Sequence, residues 1–107
     1  MIRENVGDLV AFLAVARAGS FTKAAAQLGI TQPALSHAVK ELERRLGIRL
    51  LSRTTRSVST TEAGEKLLRA IAPHFDGIEA GLSALTEMRA IMAAKKSSKL
   101  IGDTFSP

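Results

Sequence analysis

The chain contains no cysteine, which excludes disulfides and thiolate metal sites. It has only two histidines, His37 and His74, far apart in sequence and in no metalloprotease-like spacing. Ser36 beside His37 is not a nucleophile–base pair, because adjacent helical residues point in different directions. Gly-rich phosphate loops, internal repeats and low-complexity segments are also missing. No enzyme activity, bound metal or cofactor is therefore expected of these residues. The apolar runs are far too short to span a bilayer. Arg3, Glu4 and Asp8 interrupt the start, and no apolar segment of a signal peptide follows. A cytoplasmic protein without a membrane segment is the expectation.

What is present is positive charge, unevenly placed. The net charge of the 107 residues is +5. Residues 1–60 carry nine Lys or Arg against four acids, whereas residues 61–107 carry six of each, so the whole excess lies in the first part. Arg44, Arg45, Arg49, Arg53 and Arg56 follow one another with no acid between them. Such a run is either a solvated face or the footprint of a polyanion.

The apolar spacing predicts mostly helix. A first helix is expected over about Val6–Ala18, with Asn5 as its N-cap and Val6, Leu9, Val10, Leu13 and Ala16 as its stripe, widened by Phe12 and Val15. A short second helix follows, Phe21–Leu28, capped by Ser20 and ended by Gly29. Thr31 caps a third helix with Pro33 in its first turn; Leu35, Val39, Leu42 and Leu46 form its buried face, and Gly47 closes it. Ile48–Arg53 and Arg56–Ser59 read as a hairpin about a Thr54-Thr55 turn.

Thr61 caps a long fourth helix running to about Ala94. Leu68, Ile71, Phe75, Ile78, Leu82, Leu85 and Met92 fall at spacings of 3 and 4, broken once at Arg89. A core of some 60 residues cannot bury that seam, so self-association through it is expected. Pro73 predicts a kink over residues 69–73, and Gly77 with Gly81 marks either a close helix crossing or weak points. The polar stretch Lys95-Lys96-Ser97-Ser98-Lys99 reads as a hinge, and the apolar residues beyond it as the start of a truncated further domain.

Helix, tight turn, helix is the arrangement that sets one helix into a DNA major groove while its partner braces it. With Leu35, Val39 and Leu42 buried, Gln32, Ser36, His37 and Lys40 point outward. Gln pairs with adenine, Ser donates or accepts, and His donates to guanine or to phosphate. Arg53 and Arg56 straddle the hairpin turn and are candidates for the minor groove. Their alternative is pairing with Glu41 or Glu43; for the helices the alternative is an ordinary three-helix bundle, which explains neither the segregated charge nor the hairpin.

The run Phe21-Thr22-Lys23-Ala24-Ala25, Leu28, Thr31-Gln32-Pro33-Ala34-Leu35-Ser36, Leu42-Glu43, Leu46-Gly47, Leu50-Leu51-Ser52-Arg53-Thr54-Thr55-Arg56 and Thr61-Glu62-Ala63-Gly64 resembles the DNA-binding domain of LysR-type transcriptional regulators over residues 1 to about 95. The resemblance implies a winged helix-turn-helix at residues 1–60 and a dimerising linker helix at 61–94. A hinge and the start of an effector-binding domain at 95–107 are implied as well. It implies double-stranded DNA as partner, bound at an interrupted dyad near a promoter by a homodimer. It further implies tetramers and a small-molecule effector for a full-length bacterial protein.

Major-groove contacts are implied at Thr31, Gln32, Pro33, Ala34, Ser36, His37 and Lys40. Wing and phosphate contacts are implied at Ser20, Thr22, Arg53, Thr54, Thr55 and Arg56. Lys99 to Gly102 is similar to the first strand of the effector domain. Three positions depart from the pattern: Leu51 where Phe is common, Thr60 where Leu is common, and His37 where Arg is frequent. A neutral imidazole reads guanine less strongly than a guanidinium. Two alternatives are a coiled-coil scaffold, which leaves the basic part idle, and a winged-helix regulator of the molybdate-responsive type with a helical arm.

Overall fold

The computed structural model describes residues 2–54 and 57–105. The element order is α1 (Ile2–Ala18), α2 (Phe21–Leu28), α3 (Gln32–Leu46), β1 (Leu51–Arg53), β2 (Val58–Thr60) and α4 (Glu62–Phe105). The chain divides into two compact units, residues 1–72 and 73–107.

Local signals set the ends of α2 and α3. The Ser20 hydroxyl accepts from the Lys23 N–H at 3.2 Å, and the Thr31 hydroxyl from the Ala34 N–H at 3.2 Å. Gly29 has φ of 69°, a left-handed conformation that L side chains rarely adopt, and this lets the Ile30 N–H return to the Ala25 carbonyl at 3.1 Å. Pro33 stands in the first turn of α3, where its missing N–H leaves no bond unmade.

The core of the first unit is built around Phe12, Val15, Leu35, Val39, Leu42, Leu50 and Leu51, all essentially inaccessible. Ala24 and Ala25 give it small surfaces against which the other helices close. Leu67, Leu68 and Ile71 of α4 cover part of it.

The structure corrects α1 in two respects. The helix begins at Ile2, so Asn5 is an interior residue and not a cap; it is only 6 % exposed, and its Oδ1 accepts from Arg45 Nη1 at 3.4 Å. Arg45 also pairs with Asp8, so two polar groups of α1 are anchored to α3. The buried stripe is rotated toward Ala11, Phe12 and Val15, leaving Val6 41 % exposed. Phe12 and Val15 form the centre of the buried face, because α3 and α2 both pack on that side.

The wing is an antiparallel pair in the register Leu51 to Thr60, Ser52 to Ser59 and Arg53 to Val58. Its strands are shorter than expected: β1 begins at Leu51 and β2 at Val58, while Arg56, expected to open the second strand, lies outside the described residues. Thr54 and Ser57 set the loop: the Thr54 N–H donates to the Ser57 carbonyl at 2.9 Å, and the Ser57 N–H to the Thr54 hydroxyl at 3.0 Å.

Two contacts tie the wing to the helices. Glu43 Oε2 accepts from the N–H groups of both Leu50 and Leu51, at 2.8 and 3.2 Å. At the other end Thr61 starts α4, its hydroxyl accepting from the Gly64 N–H at 3.0 Å and donating to the Arg49 carbonyl at 2.6 Å. Gly64 is buried here against the Leu50 backbone.

α4 continues past the expected end at Ala94 to Phe105, and the backbone at residues 99–102 is helical, not a strand. No proline or glycine interrupts residues 82–101, and a helix satisfies its own backbone groups where a strand needs a neighbour to pair with.

Candidate nucleic-acid interface

The outward face of α3 carries the expected readers. Gln32, Pro33, Ala34, His37 and Lys40 are exposed, as is Thr31 at the cap, while Ser36 is half-buried. The burial of Leu35, Val39 and Leu42 on the opposite side places them there. The Thr22 hydroxyl stands 3.4 Å from Gln32 Oε1, linking the start of α2 to the start of α3.

Six of the expected site residues, Ser20, Thr22, Gln32, Ser36, Arg53 and Thr54, border one cleft of about 330 Å³ between the first turns of α2 and α3 and the wing. His37 and Lys40 lie outside it on the exposed face of α3. Thr55 and Arg56 lie outside the described residues.

Arg53 is placed differently from a free wing-tip cation. Its guanidinium lies 4.4 Å from the centre of the Phe21 ring, and Nη1 donates to Ser36 Oγ at 2.9 Å. Nη2 is buried without a hydrogen-bond partner. Neither Glu41 nor Glu43 takes Arg53: Glu41 is bound by Arg44, and Glu43 by the β1 backbone, with Arg49 Nε at 3.9 Å.

A second, larger cleft of about 570 Å³ is walled by Lys40, Arg44, Arg49 and Arg53 against the single carboxylate of Glu43. Arg44 and Arg49 belong to the uninterrupted arginine run, and that run was the signal for them, although the spacing did not single them out as contacts. Arg44 Nη2 and Nε both donate to Glu41 Oε2, at 2.8 and 3.1 Å. That bond holds the Glu41 carboxyl below its ordinary range and raises Arg44 further above its own. The carboxylate form is the favoured one in the fold. Whatever the pair contributes is thus complete above the ordinary carboxylate range and is lost as pH falls through the lowered value.

In the second unit, Ile78, Leu82, Leu85 and Met92 are between 56 and 63 % exposed, and so are Met88 and Ile91 at 55 and 56 %. Met88, three residues after Leu85, continues the stripe past the break at Arg89. Leu68 and Ile71, expected in the same seam, pack on the core of the first unit. Phe75 is half-buried.

Among the described residues no group of three or more potential metal ligands occurs, and no helix is long and apolar enough to cross a membrane.

Comparison with known proteins agrees with this arrangement. A relative from Pseudomonas aeruginosa is 62 % identical over 89 residues, covering 83 % of this chain and 29 % of its own length. The HTH-type transcriptional regulator PgrR of Escherichia coli is 49 % identical over 89 residues, covering 83 % of this chain and 30 % of its own. The chain thus spans under a third of the length of these relatives.

Among solved structures, the BenM DNA-binding domain in complex with catB site 1 DNA matches with a TM-score of 0.66 at 36 % identity, over 77 % of this chain and 92 % of that one. Oxidized OxyR of Corynebacterium glutamicum matches with a TM-score of 0.67 at 43 % identity, over 72 % of this chain and 25 % of its own. The family model for bacterial regulatory helix-turn-helix proteins of the lysR family matches residues 6–65, more than half of the sequence, and the chain belongs to that family.

Proposed function

We propose that this chain binds double-stranded DNA with sequence preference and acts in transcriptional regulation, not in catalysis. The observation that carries the reading is the outward face of α3. Gln32, Ser36, His37 and Lys40 stand on it, next to a cleft walled by four cations and one carboxylate. In this reading α3 enters the major groove, with Thr31, Pro33 and Ala34 at its leading end. Ser20, Thr22 and the loop of the wing meet the phosphates, and Arg56 reaches the minor groove. The BenM domain, solved in complex with catB site 1 DNA, supports it by likeness over nearly all of its own length.

The unit that binds is a homodimer joined through α4, whose stripe from Ile78 to Met92 holds six of the ten exposed large hydrophobic residues among the described residues. Two copies then present two recognition helices to an interrupted dyad. For the longer regulators to which the relatives belong, the reading extends to an effector-binding domain, tetramers and a place in the cytoplasm.

The test is duplex binding by the chain across a salt series. Affinity should fall steeply with salt, as counterions are released from neutralised phosphates. No duplex binding at low salt would reject the reading.

A further inference from the structure

Arg53 and Ser36 are joined in a way that constrains what Ser36 can read. Guanidinium nitrogens have hydrogens and no acceptor capacity, so in the 2.9 Å contact Arg53 donates and Ser36 Oγ accepts, however hydrogens are placed. The guanidinium is held for this by the Phe21 ring beneath it at 4.4 Å. Its stem rises from β1, fixed by the pairing of Arg53 with Val58. One of the two lone pairs of the Ser36 hydroxyl is therefore taken. The O–H and one lone pair remain, and accepting from a cation polarises the hydroxyl toward donation.

We propose that Arg53 is a positioning residue for base reading: by occupying one lone pair of Ser36 Oγ with a cationic donor it turns Ser36 toward donating, so that Ser36 prefers a major-groove acceptor such as guanine N7 or O6, adenine N7 or thymine O4. The proposal rests on the reading of α3 as the recognition helix. Wing and recognition helix then form one device, in which a residue of the strand sets the chemistry of a reader on α3.

The test starts from duplexes selected out of a randomised pool by the wild-type chain, followed by binding of variants to all substitutions of the selected site. Ser36→Ala should lose preference at one base pair, about 5- to 100-fold. Arg53→Met, which keeps the stem and can pack on Phe21 but cannot donate, should lose preference at the same base pair. Added to Ser36→Ala, it should change the preference there no further. A profile unchanged in Arg53→Met, or one that changes equally with and without Ser36, overturns the proposal while leaving α3 as the reader.

A flat profile in Ser36→Ala overturns both the proposal and the assignment of Ser36 as a base contact. A second measurement needs no Arg53 variant. Base analogues at the Ser36-dependent pair that delete one major-groove acceptor should reproduce the Ser36→Ala loss in the wild-type chain. If deleting the exocyclic amine donor reproduces it instead, Ser36 is an acceptor and the proposal fails.

Discussion

The Leu50 carbonyl oxygen lies where Gly64 leaves room for it: a Cβ built on Gly64 would stand 2.0 Å from that oxygen and 2.9 Å from its carbon. The obstacle is backbone, which cannot rotate away as a flexible side chain would. Gly64→Ala should push the first turn of α4 off the start of β1 and cost roughly 1–3 kcal/mol or more. Thermal or chemical unfolding checks this. Gly77→Ala and Gly81→Ala, where the added methyl meets open space, should raise helix stability by up to about 1 kcal/mol each.

Glu43 is the single acceptor for two N–H groups at the start of the wing. Glu43→Ala should orphan both and lose roughly 1–3 kcal/mol of stability. Glu43→Gln keeps a side-chain oxygen in reach and should recover most of that loss. Equal unfolding midpoints for the Ala and Gln variants would show that the N–H bonds contribute little.

Arg44 is held by Glu41 on the surface of α3. Glu41→Gln removes the carboxylate and frees the cation beside the larger cleft. Duplex affinity should rise, and the salt dependence should steepen by about one counterion per protomer. Fluorescence anisotropy across a salt series measures both, and an unchanged slope would place Arg44 away from the phosphates.

The exposed stripe of α4 makes the oligomeric state testable. Charged residues in place of Ile78 and Leu82 should dissociate the dimer, because each would otherwise be buried in an apolar seam without a partner. Sedimentation should show a monomer. A persistent dimer would move the interface to other residues.

α2 and α3 were legible in the sequence because their ends are chosen by neighbours within four residues: Ser20, Gly29, Thr31 and Gly47 each act on adjacent backbone groups. The failures have distant causes. Asn5 reads as a cap until Arg45, forty residues away, takes its side chain into the protein. The wing loop is shifted by the Thr54–Ser57 bonds, which no propensity announces.

The readers on α3 were legible because one buried stripe determines the opposite face. The inward turn of Arg53 was not, since it depends on Phe21 and Ser36 being brought beside the strand by the fold. Met88 was not legible because strict 3-and-4 alternation after Leu85 falls on Arg89, its neighbour on the same face of α4.

Sequence preference is assigned here to the exposed face of α3, as a reader of base edges. The most direct measurement compares the wild-type chain with Gln32→Ala on a selected duplex and on a scrambled one at the same salt. Gln32→Ala should lose about 1–3 kcal/mol on the selected duplex and little on the scrambled one. An equal loss on both duplexes would contradict the account, leaving α3 a contributor to general affinity and not the source of sequence preference.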